Sequence, residues 1–100
     1  MERGGYVYIL TNFNHNVLYT GVTSSLRERI FEHKSNKYPN SFSAKYRTHK
    51  LVYYQGFKSI EEAIIHEKKI KGWVRNKKID LINLFNPEWS DLYEKINEFD

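Results

Sequence analysis

The apolar positions of this chain change their rhythm along its length, and the changes mark its elements. Tyr6-Val7-Tyr8-Ile9-Leu10 is an unbroken β-branched and aromatic run, which predicts a strand. Asn12-Phe13-Asn14-His15-Asn16 is rich in turn formers, and Val17 to Val22 is again strand-like, so the two runs form a hairpin with a five-residue connection. Gly21, near the end of the second run, predicts a bulge or a close approach of another group to the backbone. Ser25-Leu26-Arg27-Glu28 has the form of a capping box and predicts a helix running to about Lys34. Residues 35–50 are polar, contain Pro39 and carry Lys37, Lys45, Arg47, His49 and Lys50; they read as a long loop with a short helix near Ser43 to Tyr46. Loops of that length are uncommon unless they bind or cover something.

Leu51-Val52-Tyr53-Tyr54-Gln55 predicts a third strand, and Ser59-Ile60-Glu61-Glu62 a second capping box opening a helix to about Gly72. Trp73 to Phe85 becomes helical in its later part, where Ile79, Ile82 and Phe85 fall at helical spacing. Asn86-Pro87 has the form of an N-cap followed by proline at the first helical position, with Trp89, Leu92, Tyr93 and Ile96 on one stripe of a last helix. The expected order is β-β-α-β-α-α-α, an α+β arrangement around a small sheet. No repeat or linker interrupts it, so residues 1–100 read as one domain.

Composition narrows the chemistry. Apolar residues make up 40% of the chain, enough for a modest core, and no run approaches the roughly 20 residues that span a bilayer. The start, Met1-Glu2-Arg3-Gly4-Gly5, lacks the apolar stretch of a signal peptide, so a cytoplasmic protein is expected. Cysteine is absent, which excludes a disulfide framework and a thiolate metal site. The net charge of +4 permits an anionic partner without requiring one. Eight tyrosines are many for this length; each hydroxyl needs a partner, which places some of these rings at a polar site.

Two helices then carry charge where a core belongs. Ile60, Ala63, Ile64, Ile70 and Val74 set the apolar stripe of the second long helix, and Glu67 falls within it. A carboxylate there is costly to bury unless it is paired with an arginine or lysine or binds a metal, and both readings fit. On the first helix Leu26 and Ile30 mark the inward face, with Arg29 and His33 one turn apart beside it. A guanidinium offers a planar fork to phosphate and an imidazole exchanges a proton near neutral pH; a solvated helix face would carry the same residues. Tyr8 and Tyr19 have the alternation that aims both to one side of the hairpin, as a cross-strand aromatic pair would also do.

Taken together these residues resemble a known family. Tyr6-Val7-Tyr8 followed by Tyr19-Thr20-Gly21 is similar to the two halves of the motif that names the GIY-YIG endonucleases. Arg29 stands ten positions after Tyr19, as the family's arginine does, and His33 one turn later matches a histidine frequent among its members. Glu62-Ala63-Ile64-Ile65-His66-Glu67-Lys68-Lys69-Ile70-Lys71 resembles the family pattern whose second glutamate is the metal ligand. The likeness runs from Tyr6 to the Asn86-Pro87-Glu88-Trp89 segment and is greatest to small stand-alone bacterial members related to the N-terminal nuclease domain of the bacterial excinuclease. Tyr6 replaces the first glycine of the name motif, and Val22 stands where restriction-type members carry a lysine.

The resemblance implies a small three-stranded antiparallel sheet flanked by helices, and an endonuclease that hydrolyses phosphodiester bonds in DNA, in repair or recombination. DNA is the expected substrate ahead of RNA, and targeting is expected from a protein partner, a dimer or the loop before the third strand. It implies a Mg²⁺ or Mn²⁺ ion held by Glu67 and an Arg29 contact to the phosphate. Tyr8 positions the attacking water or accepts its proton, which requires a nearby cation to lower a phenol pKa of about 10. Tyr19 and His33 orient the phosphate and relay protons. Two alternatives share the sequence features: a non-catalytic nucleic-acid-binding module on the same fold, and a structural domain in which Glu67 and Arg29 form a buried ion pair.

Overall fold

Three strands make one antiparallel sheet, in the order β2-β1-β3, with β1 (Gly5–Thr11) between β2 (Leu18–Thr23) and β3 (Lys50–Phe57). The computed structural model describes residues 4–96. Helix α1 (Leu26–Lys34) follows the hairpin, α2 (Phe42–Tyr46) lies in the connection to β3, and α3 (Ile60–Lys71) and α4 (Arg75–Phe85) follow β3. The α+β class and the three-stranded antiparallel sheet flanked by helices are as expected from the sequence.

The middle strand explains the unbroken apolar run, because both faces of the sheet are covered. One face holds Val7, Ile9, Val52, Tyr53, Ala63, Ile70 and Ile82, the last three being inward residues of α3 and α4. The other holds Tyr8, Leu10, Leu26, Ile30, Leu51, Leu92 and Ile96, with α1 and the last segment covering the strands. A register shift between Ile9 and Leu10 against β3 lets Val52 and Tyr53, neighbours in sequence, join the same cluster.

Two of the expected caps behave differently. Ser59 caps α3 by accepting a hydrogen bond from the Glu62 amide at 3.2 Å. Ser25 makes no side-chain cap to α1; instead its amide donates to the Thr23 hydroxyl at 3.0 Å, so the predicted capping box does not form. The 35–50 segment does contain a short helix, capped by Ser41 and stopped by Arg47 in the left-handed region at φ 56. Val74 is not part of the α3 stripe: the helix ends at Lys71, and Val74 sits 73% exposed before α4.

The last helix is the clearest departure. Asn86 does not open it. Its buried side chain turns inward and donates to the carbonyls of Val52, at 3.2 Å, and Ser90, at 2.8 Å, while its amide closes α4 on Ile82. Trp89 adopts a left-handed backbone, φ 53, which stops any helix from starting there. The chain then docks along β3 through the Leu92 amide on the Leu51 carbonyl, and only a 3-10 turn, Tyr93–Ile96, follows. Trp89 therefore packs with the α3 and α4 cluster, whereas Leu92 and Ile96 pack on the opposite face.

Candidate active site

Strand pairing puts Tyr8 opposite Gly21 and Leu10 opposite Tyr19, so both tyrosines point to the α1 face. The close approach predicted at Gly21 is to the Tyr8 ring: a Cβ on residue 21 would overlap the Tyr8 Cζ and hydroxyl. A glycine is what allows that ring to lie flat across β2. From α1, His33 reaches the same spot, with its Nε2 2.9 Å from the Tyr8 hydroxyl. The Tyr19 ring lies 6.3 Å from Tyr8 and 5.3 Å from His33, centroid to centroid. Four of the sequence-derived site residues, Tyr8, Tyr19, Arg29 and His33, therefore share one electrostatic cluster.

Burial sorts them into two layers. Tyr8 and His33 are 1% and 6% exposed, while Tyr19 and Arg29 are half-buried in front of them. A small polar recess between α1 and α2, lined by Arg29, Glu32, His33 and Tyr38, opens onto this group. The Arg29 guanidinium is held by Glu32 at 3.0 Å, and Lys37 shares that carboxylate at 3.2 Å. Such a half-exposed pair is easily exchanged for another anion.

The electrostatics follow from the packing. Burial, reinforced by Tyr19, raises the Tyr8 pKa, and the lowering influence of Arg29 does not offset it. The condition that a phenolate base requires is therefore not met in the resting protein. Burial, with Arg29 adding to it, lowers His33 to about 4, so its imidazole is neutral. Burial acts to lower Arg29, but the hydrogen bond to Glu32 and the two tyrosine hydroxyls outweigh it and the guanidinium pKa rises.

Glu67 lies apart from this group. It shares the Ala63 and Ile70 stripe of α3, on the opposite face of the sheet, and is 7% exposed. Its Oε2 is 2.7 Å from the Lys71 ammonium, one turn along the same helix. The buried-pair alternative thus has a partner, but that partner is Lys71 and not Arg29. Lys71 is also what connects the two faces: its ammonium pKa is raised by the hydrogen bond to Glu67, and the Tyr19 hydroxyl adds to the rise. The i+4 spacing of Lys71 from Glu67 is the signal that points to it in the sequence, where it otherwise looks like one of several solvated lysines.

A divalent cation fits Glu67 on two grounds. The carboxylate already sits against a positive charge, and that charge belongs to a side chain 54% exposed, free to swing away. On the same side of the sheet, Thr20, whose strand position faces α3, has a buried hydroxyl without a hydrogen-bond partner. Among the described residues no cluster of three or more His, Cys, Asp or Glu side chains could hold a metal. A hard cation on one carboxylate would keep waters and substrate oxygens as its other ligands.

Comparison with known proteins identifies the family and the fold. The family model described as the GIY-YIG catalytic domain matches residues 4–80. The chain belongs to the GIY-YIG nuclease family. More narrowly, it is 37% identical over 83 residues to a UPF0213 protein of Syntrophus aciditrophicus, covering 83% of this chain and 93% of the relative. A UPF0213 protein of Clostridium perfringens is 36% identical over 96 residues, covering 92% and 97%. The solution NMR structure of a UPF0213 protein from Bacillus halodurans superposes with a TM-score of 0.52 at 31% identity, covering 96% of each chain. No helix among the described residues is long and apolar enough to cross a membrane.

Proposed function

We propose that this protein is a divalent-metal-dependent endonuclease that hydrolyses phosphodiester bonds in nucleic acid, DNA ahead of RNA. The observation that carries the reading is the convergence of Tyr8, Tyr19, Arg29 and His33 in one cluster, from two strands and a helix, with Arg29 and His33 lining a recess in front of it. A structural core has no use for a guanidinium, an imidazole and two phenols in contact.

Arg29 and Tyr19, the more exposed layer, face the phosphate. The phosphate displaces Glu32 from Arg29 and receives charge-assisted hydrogen bonds from the guanidinium, which stabilise the charge that builds during attack. The Tyr8 hydroxyl orients the attacking water. Because it already touches His33 Nε2, it can pass its own proton to the imidazole as it takes one from water, so a free phenolate never forms. Substrate binding assists that transfer: Arg29 is one of the charges that lower the His33 pKa, and a phosphate on Arg29 offsets it. Glu67 would hold Mg²⁺ or Mn²⁺, which supplies stabilisation of the leaving oxygen. Lys71, which now pairs with Glu67 and feels the Tyr19 hydroxyl, would release the carboxylate when the ion binds.

The test is cleavage of a panel of DNA and RNA structures, duplex, branched, flapped and single-stranded, with Mg²⁺ or Mn²⁺. Glu67→Ala and Arg29→Ala each lower the rate by at least about a hundredfold. Activity that survives either change sinks the proposed site. Binding that ignores chelator, with no substrate cleaved, leaves a non-catalytic nucleic-acid-binding module.

A further inference from the structure

Helix α2 presents two aromatic rings to solvent next to the catalytic group. Phe42 stacks on Tyr19 at 5.8 Å with 30° between the planes, and Tyr46, one turn later, lies 4.6 Å from Phe42. Yet Phe42 is 47% and Tyr46 42% exposed. Exposed rings in a row are costly to leave in water and mark a contact surface. This row is continuous with the site, because its inner end is Tyr19.

Positive charge borders it. The Lys45 ammonium lies 5.4 Å above the Tyr46 ring, and Arg29 sits 5.5 Å above the Tyr38 ring at the mouth of the recess. Rings flanked by cations suit a nucleotide strand, whose bases stack while its phosphates meet lysine and arginine. A second copy of this chain suits it poorly, since a two-fold contact uses the same patch on both copies and would bring one basic rim against another.

We propose that Phe42 and Tyr46 form a stacking platform for an unpaired nucleobase beside the phosphate bound at Arg29, so that the preferred substrate carries a single-stranded segment. This rests on the reading of the site as a nucleic-acid phosphodiester site. Within a continuous duplex both faces of every base are already stacked, and none is open to a protein ring. A flap, gap or overhang supplies an open face. DNA and RNA share that chemistry, so the test carries both.

The experiment measures binding without turnover, by fluorescence anisotropy in chelator, with labelled oligo(dT), oligo(U) and a blunt duplex. Phe42→Ala weakens oligo(dT) or oligo(U) binding by about fivefold or more and leaves the duplex unchanged. Phe42→Trp restores it, and because no charge is removed the salt dependence stays the same. The relative loss on the two single strands identifies which sugar the platform accepts. Equal weakening on single strand and duplex, or none on either, overturns the proposal. So does a monomer–dimer equilibrium in sedimentation that Phe42→Ala abolishes, which assigns the rings to self-association. Cleavage is scored separately. A chain that cuts nothing but keeps the Phe42-dependent single-strand preference loses the nuclease and retains the platform. Equal cutting of flap and duplex by wild type and Phe42→Ala does the reverse.

Discussion

The Tyr8 hydroxyl lies 2.9 Å from Nε2 of His33, joining the middle strand to the first helix across 25 residues of sequence. Both side chains are buried, and burial drives the phenol pKa up and the imidazole pKa down to about 4. Both partners are therefore neutral near pH 7. In that state the phenol donates to Nε2, and the ring proton sits on Nδ1.

This pair makes stability depend on pH. Between pH 6.5, the ordinary histidine value, and about 4, the unfolded chain binds a proton at His33 that the folded chain refuses. Stability from this source is complete above that window and falls as pH drops through it, by about 2 kcal/mol at pH 5. His33→Gln removes this component. His15 and His49, also lowered by burial, leave a background in the same direction, so the comparison is between the two proteins. Urea unfolding at neutral pH and at pH 5 measures it, and equal slopes for wild type and His33→Gln contradict the buried neutral imidazole.

Gly21 and Tyr8 are coupled by volume. Gly21→Ala forces the Tyr8 ring away from β2 and away from His33, destabilising the fold by about 1–3 kcal/mol. In a Tyr8→Leu background, where the ring is gone, the same alanine costs much less. A double-mutant cycle by urea unfolding reads the coupling; additive losses would show that the overlap is relieved elsewhere.

Lys71 competes with the metal for Glu67. Lys71→Met removes the competing ammonium, and a half-exposed ion pair of this kind is worth about 0.5–1 kcal/mol, so Mn²⁺ affinity rises by roughly two- to fivefold. Titration calorimetry on the intact protein measures it, with Glu67→Gln abolishing the binding. Unchanged or weaker Mn²⁺ binding in Lys71→Met would mean that the ammonium does not oppose the ion.

The elements and the motif residues were legible because they depend on local patterns. A β-branched run, a serine three residues before a glutamate at Ser59, and a glutamate between Ala63 and Ile70 each state their own case. Ser25 and Asn86 show where local pattern fails. Ser25 has the letters of a cap, but Thr23 takes its amide first. Asn86 has the letters of an N-cap, but its side chain is taken by the Val52 carbonyl, 34 residues back on β3. A partner outside the four-residue window, two residues before it at Ser25 or 34 residues away at Asn86, is invisible within that window. The same limit hid Phe42, an ordinary loop aromatic until the connection folds back onto Tyr19.

Residue order alone was enough for the class of fold, for Tyr8 and Tyr19 on one side of a hairpin, and for the need of Glu67 to have a partner. Those follow from period and burial cost, which act between neighbours. The partners of Glu67 and Arg29, Lys71 and Glu32, stand one turn along the same helices, whereas only the tertiary structure decided that Tyr8 meets His33, that both lie behind Tyr19 and Arg29, and that Phe42 stacks on Tyr19. Contacts between elements and pKa shifts depend on distances across packed elements and on the water excluded between them. Those quantities come into being only when α1 and α3 close on the two faces of the sheet.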